Sequence, residues 1–598
     1  MAYCPHYALT AHLNRDLMRK KLPDHPEACR AAEEEFDKVS GFPTPHTVGG
    51  AGWTHSFPNY KRILAEGLDA YRQRVEARPD GDFRTGMLLV LESIEIYRQR
   101  SLEILRNADA PADLIAALER VPNQPARDIY EALVSWNFIY YVDGCDDIGA
   151  LDRNLLPYYH GEDLVPLFRE LFRHVDVNDG WSGPLGPDYN EITLMVIRAI
   201  HNGRRPNLQL LVKPDMPDTV WQEVYASLAT SCGQPALYNA DLYRKTLHAL
   251  FPEIPDADLD RIAFGGCTET MLEGISAVGS DDAGINTALV FDQYLRENLA
   301  NCATFEEFFD GLVQALRTTI AETLDILTEH RRTRALYRPS VVRTLLVDDC
   351  IDKQRDFHNG GPRWIWSVIN IAGLINVIDS LSVIRTLVYD RKTYSAAEFL
   401  EKLDAQEVTF LLQAKSCPSY GTDDDFVDNL GAILTDRIVD AFDQRKCFPS
   451  GRYLPVSNQF TTYVTAGKHV RATPDGRACG APLCDSLGAI HGNDVKGPTA
   501  LLNSVSKLPL SRIIGTPITN IRISKENLPK TLKALVLSYF QRGGMQLQVS
   551  CLSRDEILDA IAHPEKHENL VVRIGGFSEY FNRLSPELQQ TVLARTEH

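Results

Sequence analysis

Residues 518–578 read ITNIRISKENLPKTLKALVLSYFQRGGMQLQVSCLSRDEILDAIAHPEKHENLVVRIGGFS, and this stretch decides the fold class. Three short apolar runs typical of buried strands lie at Ile518–Ile523, Met545–Val549 and Leu570–Ile574. Two stretches with helical apolar spacing separate them, at Lys525–Phe540 and Ser553–Ile561. This alternation of strands and helices predicts an α/β architecture.

The rest of the chain is predicted to be mainly helical toward the N-terminus. Asp128–Val142 and Asp163–His174 carry apolar residues at three- and four-residue intervals, whereas Asn207–Val212 resembles another strand. Phe448–Lys496 is rich in turn residues, and Pro474-Asp475-Gly476 is its clearest turn. Because we find no repeat or interdomain linker, we expect one large domain with a helical N-terminal portion.

Composition and charge narrow the functional classes. The 598 residues carry a formal net charge of −18, from 62 basic and 80 acidic residues, and this disfavours nucleic-acid binding in the absence of a basic patch. The N-terminus lacks a secretory signal pattern, and the longest apolar run, near Ile369–Ile378, is too short to cross a bilayer. We therefore expect a cytoplasmic protein without membrane association. The twelve cysteines form no Cys-x-x-Cys pair, so neither a disulfide framework nor a metal site is indicated.

The segment Gly265-Gly266-Cys267-Thr268-Glu269 has two interpretations. The glycine pair would allow a tight backbone excursion that places the Cys267 thiol at a loop tip, with the Glu269 carboxylate facing the same pocket. Alternatively, Cys267 is a small buried residue and Glu269 caps a helix that follows.

The segment Val572-Arg573-Ile574-Gly575-Gly576-Phe577-Ser578 is also open to two interpretations. The glycines can form a tight turn or bulge that needs positive φ. They can also serve radical chemistry. Loss of an α-hydrogen from glycine leaves a planar carbon radical that is delocalised over the flanking amide groups and is not crowded by a side chain.

Together with further landmarks, these segments resemble the glycyl radical enzymes of the pyruvate formate-lyase-like superfamily, in the branch of glycerol or diol dehydratases and choline lyases. The landmarks occur in the family's order and are dense in the C-terminal part: Ala472-Thr473-Pro474-Asp475-Gly476-Arg477, Lys496-Gly497-Pro498-Thr499-Ala500, Asn503-Ser504-Val505, Gly543-Gly544 and Arg595-Thr596-Glu597-His598. Upstream, they comprise Gly233-Gln234-Pro235, Tyr238-Asn239, Trp53-Thr54-His55, Pro58-Asn59-Tyr60 and Leu156-Pro157-Tyr158-Tyr159.

The resemblance implies a ten-stranded α/β barrel of two five-stranded halves, surrounded by helices, with the Cys and Gly loops meeting inside. Residues 1–450 would form the pyruvate formate-lyase-like domain, and residues 451–598 the glycine radical domain of the same barrel. By the same resemblance, Gly576 stores the radical, Cys267 becomes a thiyl radical and Glu269 acts as general base. No cofactor would be bound. A radical S-adenosylmethionine activase would install the glycyl radical, and a homodimer is expected.

Four further residues are candidates for substrate binding. Asp281 occupies a position where dehydratase-like members carry a carboxylate that contacts substrate, although Ser280, Asp281 and Asp282 also resemble a helix N-cap. Cys145 and Asp146 lie in the acidic segment 143–149, which either lines the pocket or forms an exposed turn. His55 is either a second acid or a loop histidine without a catalytic role. An acidic pocket would favour a polyol or an amino alcohol.

Departures from the family pattern narrow the chemistry. A single cysteine at 267, where pyruvate formate-lyase has two, disfavours acyl transfer to a second thiol. Thr270 stands in place of the familiar proline, and the region before Cys267 is shorter than usual. The leading hypothesis is therefore a glycyl radical dehydratase or related C–O/C–N lyase. The alternatives are a glycyl radical C–C lyase or decarboxylase, and a non-catalytic relative.

Overall fold

The computed structural model describes residues 34–35, 43–48, 54–457 and 460–598, except for the side chain of Asp281, and has the predicted α/β class. Its strands are β1 Thr47–Val48, β2 Thr54–His55, β3 Ser182–Leu185, β4 Asn207–Val212, β5 Ala236–Asn239, β6 Ile262–Gly265, β7 Glu269–Leu272, β8 Ser276–Asn286, β9 Trp364–Ala372, β10 Lys446–Cys447, β11 Gly451–Val456, β12 Asn520–Arg522, β13 Gln546–Ser550, β14 Val571–Arg573 and β15 Ser578–Tyr580.

Helices surround the strands. In the first part of the chain they are α1 Tyr60–Glu76, α2 Asp82–Asn107, α3 Ala112–Arg120, α4 Ile129–Val142, α5 Leu151–Leu155, α6 Val165–Val177, α7 Glu191–Ala199, α8 Asp218–Ala229, α9 Ala240–Leu250, α10 Asp256–Leu259, α11 Thr287–Asn298 and α12 Phe305–Tyr337. They continue as α13 Val341–Leu346, α14 Cys350–Lys353, α15 Leu374–Ile384, α16 Ala396–Ala405, α17 Val408–Lys415, α18 Asp425–Asp443, α19 Thr462–Lys468, α20 Pro498–Lys507, α21 Leu528–Gln541, α22 Arg554–Ala562 and α23 Pro586–Ala594.

The strands form two main sheets that correspond to the two predicted halves. One sheet has the order β1-β8-β9-β11-β10, with β2 also paired to β8, and the other has the order β12-β13-β5-β4-β3. The three central strands β8-β9-β11 of the first sheet are parallel, and so are β5, β4 and β3, which lie at one side of the second sheet. A parallel bridge between Ser457 and Pro517 joins the end of β11 to the segment before β12, so the halves meet along this side.

A hairpin formed by β6 and β7 carries the Cys267 segment between these sheets. At its base, the Thr270 amide donates a hydrogen bond to the Gly515 carbonyl oxygen over 3.1 Å, and its hydroxyl donates to the Ile514 oxygen over 2.7 Å. The Trp366 indole donates to the Thr270 oxygen over 2.8 Å. A proline could make neither of the first two bonds because it has no amide hydrogen and no hydroxyl. Thr270, at the position where the resemblance leads one to expect a proline, therefore anchors the hairpin directly to the segment 514–515.

Most predicted elements are confirmed within a few residues. The run Asn207–Val212 is β4, and the alternation across 518–578 is found as β12, α21, β13, α22 and β14. The interpretation of 448–496 as mainly turns is wrong in part, because Gly451–Val456 pairs with β9 in the middle of a sheet and Thr462–Lys468 is helical. The apolar run near Ile369–Ile378 divides into the end of β9 and the start of α15. Among the described residues, none of the helices could span a membrane.

Candidate active site

Cys267 lies in the turn of the β6–β7 hairpin, where Gly265 pairs with Glu269. Gly266 has a φ of +51°, a conformation that favours glycine, and a Cβ added there would lie 2.0 Å from His55 Nε2. The turn is therefore packed directly against His55. The thiol of Cys267 is held in the interior, since this residue is only 8% exposed. Cys267 therefore lies at a loop tip, as one interpretation of the sequence predicted, and it is also buried, as the other predicted.

Glu269 is fixed by two hydrogen bonds at the start of β7. One carboxylate oxygen accepts from the Thr268 amide over 3.0 Å, and the other accepts from the Ser280 hydroxyl. The alternative that Glu269 caps a following helix is wrong, because a strand follows it. Each carboxylate oxygen retains acceptor capacity, so Glu269 can also receive a hydrogen bond from a substrate hydroxyl.

Gly576 lies at the tip of a second hairpin, formed by β14 and β15. The turn closes with a hydrogen bond from the Ile574 amide to the Phe577 oxygen over 2.9 Å. Gly576 has a φ of +91°, as expected for a glycine turn. The residue is buried, so the tip enters the protein interior and does not face solvent.

Asn207, the first residue of β4, links the two hairpins. Its Nδ2 donates to the Gly266 oxygen over 3.4 Å, and its Oδ1 accepts from the Ser578 amide over 3.2 Å. The Ser182 hydroxyl, from the start of β3, also donates to the Gly266 oxygen, over 2.7 Å. The Cys and Gly loops therefore meet at the amino ends of β3 and β4, as predicted.

Aromatic side chains surround the meeting point of the hairpins. Trp181 lies 6.1 Å from Phe577 and 6.0 Å from His55 between ring centroids, and Phe460 stacks on Phe577 at 4.6 Å. The Arg205 guanidinium lies 4.8 Å above Trp181 and 5.4 Å from the Phe577 ring. Four residues of this region were not predicted from the sequence: Trp181, Ser182, Arg205 and Asn207. Among them, only Asn207 had a signal in the sequence, namely its position at the start of a predicted strand.

The acidic segment 143–149 is buried except for Gly144, so its interpretation as an exposed turn is wrong. Asp147 is fully buried, and its Oδ1 accepts from the amides of Gly266 and Ser182, each over 2.9 Å. It thereby fixes the Cys267 turn, a role that the sequence did not indicate. Asp146 and Cys145 are also buried, and Cys145 has a φ of +57°.

His55 forms a buried ion pair with this segment. Its Nδ1 lies 2.6 Å from Asp146 Oδ1 and 3.8 Å from Asp147 Oδ2. Burial alone would lower the pKa of His55, but the two aspartates outweigh it and raise this pKa to about 9. The imidazole is therefore protonated at neutral pH. His55 belongs to β2 and pairs with β8, so the interpretation as a loop histidine is wrong, although its catalytic role stays a prediction.

Arg343 provides the second cation of this cluster. Its Nη2 donates to Asp146 Oδ2 over 2.8 Å, and its Nε lies 3.7 Å from Asp143 Oδ1. Burial raises the pKa of Asp143 to about 8, with Arg343 opposing it, and raises the pKa of Asp147 well above its usual range. For Asp146, burial is outweighed by His55 and Arg343, which lower the pKa.

One nitrogen of His55 and one oxygen each of Asp146 and Asp147 lie within 4.8 Å of one another and could together hold a metal ion. The distance of 2.6 Å between His55 and Asp146 is, however, that of a charge-assisted hydrogen bond. Two ligands of one tetrahedral zinc ion would be about 3.4 Å apart. The arrangement as it stands therefore suits an ion pair better than a metal centre.

Asp281 lies within β8, and its side chain is outside the described part of the structure. The N-cap interpretation for 280–282 is wrong, because α11 begins at Thr287 and Asn286 caps it by accepting from the Leu289 amide. Asp282 is instead buried against Arg331 and Arg334. Contact between Asp281 and substrate stays a prediction.

A cavity of about 680 Å³ lies at the opposite end of the β6–β7 hairpin, beyond the carboxyl ends of β3, β4 and β5. Ile262 and Glu273, at the hairpin base, contribute to its lining together with Arg153, Lys213 and Arg261. Cys267, Glu269 and Gly576 do not line it. The cavity is therefore separate from the meeting point of the two loops.

Comparison with known proteins gives matches over much of the chain. Residues 185–467 match the family described as "Pyruvate formate lyase-like", and residues 484–582 match that described as "Glycine radical". The trans-4-hydroxy-L-proline dehydratase of Clostridioides difficile is 26% identical over 457 residues, which cover 71% of this chain and 56% of that protein. The chain thus spans little more than half of that relative's length. The probable dehydratase YbiW of Escherichia coli K12 is 24% identical, covering 92% of this chain and 80% of that protein.

Solved structures share the fold. The B12-independent glycerol dehydratase from Clostridium butyricum superposes with a TM-score of 0.86 at 21% identity, covering 96% of this chain and 83% of that chain. A Roseburia inulinivorans structure described for 1,2-propanediol dehydration superposes with a TM-score of 0.85 at 23% identity, covering 96% and 84%.

Proposed function

Since the chain belongs to the glycyl radical enzyme family, we propose that it is a lyase that removes water or another β-leaving group from a small polyol or amino alcohol. The observation that carries this proposal is the Asn207 amide, which is hydrogen-bonded to the Cys267 turn on one side and to the Gly576 hairpin on the other. This link supports the proposal that radical storage and radical use belong to neighbouring turns of one interior site.

In the first steps, Gly576 and Cys267 exchange a hydrogen atom. The Gly576 radical takes the thiol hydrogen of Cys267, which forms a Cα–H bond and leaves a thiyl radical. The thiyl radical then takes a hydrogen atom from a substrate carbon that carries a hydroxyl group. Because S–H bonds and activated C–H bonds have similar strengths, Cys267 can return the hydrogen at the end of each turnover.

Glu269 is proposed to direct the elimination. Its carboxylate takes the hydroxyl proton next to the substrate radical, which gives a ketyl radical anion. The ketyl expels the substituent on the adjacent carbon as an anion, and a departing hydroxide takes up a proton to leave as water. The remaining carbonyl radical recovers a hydrogen atom from Cys267 and becomes an aldehyde or ketone. The hydrogen bonds from Thr268 and Ser280 hold the base in place for this sequence.

The acidic cluster around His55 supports a hydroxyl-rich substrate. Both oxygens of Asp143 and the Oδ2 of Asp147 are buried without a hydrogen-bond partner among the described residues. Since the pKa of each of these two groups is raised, a neutral carboxyl can donate to one hydroxyl group and accept from another. An amino alcohol would bind through its ammonium group when one of these carboxyl groups loses its proton. Cys145, Asp146, His55 and Asp281 remain proposed contributors to substrate binding.

The proposal includes a partner. A radical S-adenosylmethionine activase, with its own iron–sulfur cluster, would remove the α-hydrogen of Gly576, and the enzyme would need no bound cofactor for turnover. A homodimer in the cytoplasm is our expectation for the assembled state.

The test of the radical assignment is anaerobic activation followed by electron paramagnetic resonance. Wild-type protein should give a doublet from one α-hydrogen, and Gly576→Ala should give none. The neighbouring variant Gly575→Ala is the matched control, because Gly575 has no positive φ and the nearest atom to an added Cβ lies at 3.3 Å. A doublet that survives in Gly576→Ala would contradict the assignment.

The substrate class is tested with the activated enzyme under anaerobic conditions. Glycerol, propane-1,2-diol and ethanolamine are supplied separately, and carbonyl products are quantified. Carbonyl formation that disappears in Glu269→Gln supports elimination. Release of carbon dioxide from a carboxylic acid, with no carbonyl product from any alcohol, would favour the C–C lyase instead.

A further inference from the structure

The two backbone groups attached to the α-carbon of Gly576 are both hydrogen-bonded to buried side chains. The Gly576 amide donates to Gln548 Oε1 over 3.3 Å, and the Gly576 carbonyl oxygen accepts from Arg573 Nη2 over 3.0 Å. Arg573 Nε also donates to Gln548 Oε1, over 2.7 Å. Gln548 and Arg573 therefore form one connected pair around this carbon.

Arg573 is unusual because it is a buried cation without a carboxylate partner among the described residues. It is 1% exposed, and the further hydrogen bond of its side chain, over 3.3 Å, runs from Nη1 to the Ser578 hydroxyl. Burial lowers its pKa to about 10, so the guanidinium stays charged at neutral pH. Burying an uncompensated charge is costly, and a neutral side chain could satisfy one carbonyl at a lower cost. The charge therefore calls for a function beyond hairpin packing.

We propose that Arg573 and Gln548 set the stability of the radical stored at Gly576. This inference rests on the proposed function, since it needs a glycyl radical. A glycyl radical is stabilised by electron donation from the amide nitrogen and electron withdrawal by the carbonyl group. A guanidinium on the carbonyl oxygen strengthens the withdrawal, and an acceptor on the amide hydrogen strengthens the donation. Both hydrogen bonds therefore favour delocalisation of the unpaired electron over the two flanking amide groups.

The equilibrium affected is hydrogen transfer between Gly576 and Cys267. The S–H bond of Cys267 breaks and the Cα–H bond of Gly576 forms, with one hydrogen atom transferred and no change in charge. Since Arg573 and Gln548 stabilise the glycyl side, their loss shifts the equilibrium toward the thiyl radical. The glycyl state should then be less stable, and its unpaired spin should be more concentrated on the α-carbon.

The test compares Arg573→Gln with Arg205→Gln in activated protein. Arg205 is the matched control because it is a buried arginine that donates to the Ser578 carbonyl, a group not attached to the radical carbon. In Arg573→Gln, the doublet splitting from the α-hydrogen should increase, and the anaerobic half-life of the signal should fall about three- to tenfold, the range that corresponds to the net contribution of one hydrogen bond. The splitting should stay near the wild-type value in Arg205→Gln, because Arg205 does not contact either group attached to the radical carbon.

A second variant keeps the test decisive if Arg573→Gln does not fold. Gln548→Met keeps the side-chain length and removes the acceptor for the Gly576 amide, so we expect the same direction of change with a smaller size. Wild-type splitting and lifetime in the folded Arg573 and Gln548 variants, or an equal change of splitting in Arg205→Gln, would overturn the inference while leaving the radical assignment intact. Absence of any wild-type doublet would instead overturn the proposed function and the inference with it.

Discussion

His55→Gln provides a quantitative test of the buried cluster next to the Cys267 turn. The pKa of His55 rises from 6.5 to about 9 on folding. At about 1.36 kcal/mol per tenfold change in proton affinity, this corresponds to about 3 kcal/mol of folded-state stability when His55 is protonated. A glutamine keeps hydrogen-bonding capacity without the titrating charge.

The sign of the pH dependence follows from the raised pKa. Below pH 6.5 the imidazole is protonated in both the folded and the unfolded states, and the full contribution is present. Between pH 6.5 and 9 the unfolded state loses its proton first, so the contribution falls and is lost as the pH passes 9. The advantage of wild type over His55→Gln should therefore shrink by about 3 kcal/mol across this window. Asp143, Asp146, Asp147 and Arg343 face the same cluster and are present in both proteins.

Urea unfolding, followed by intrinsic fluorescence from pH 6 to pH 10, measures this difference. His174→Gln is the control: burial lowers the pKa of His174, so the wild-type advantage over this variant should rise slightly with pH near 6.5 and stay constant above it, without the fall expected for His55. A wild-type advantage over His55→Gln that stays constant or grows with pH would refute the ion pair between His55 and Asp146.

Three further outcomes are expected. In D2O, reversible hydrogen transfer should collapse the wild-type doublet to a singlet, whereas Cys267→Ala should keep the doublet; a doublet that persists in wild type would contradict direct exchange with Gly576. Asn207→Ala leaves a buried amide without its acceptor and should lower the free energy of unfolding by about 1–3 kcal/mol in urea titrations, together with slower collapse of the doublet. Gly266→Ala places a Cβ 2.0 Å from His55 Nε2 and should reduce turnover about 100-fold by displacing the thiol, with the glycyl doublet retained; near-normal turnover would disprove the tight packing of this turn.

The sequence predicted well those parts of the fold that depend on local patterns. The run Asn207–Val212 has apolar residues at four of its six positions because β4 is buried on both faces, and its bounds agree with the structure. The alternation of strands and helices across 518–578 was equally clear, because the spacing of apolar residues differs between strands and helices. The glycines at 266 and 576 were also informative, because their positive φ values are local requirements of the two turns.

Long-range charge pairing could not be predicted in this way. The segment 143–149 looks like an exposed acidic turn, yet it is buried because its partners arrive from distant parts of the chain. Asp146 is paired with His55, 91 positions away, and with Arg343, 197 positions away. The strand Gly451–Val456 was missed for a related reason. The residues around it are typical of turns, and it is extended because it pairs with β9, which is distant in the sequence.

Ser578 determines how firmly the glycine hairpin is attached to the barrel. Its amide donates to Asn207, its hydroxyl donates to the Cys232 oxygen over 2.8 Å, and its carbonyl oxygen accepts from Arg205. One residue therefore acts as a latch with three polar contacts, which together contribute about 2–5 kcal/mol. The activase proposed above would have to reach the buried α-carbon of Gly576 and could offset this amount by its own binding, so a latch of this strength is compatible with both shielding the α-carbon and opening the hairpin.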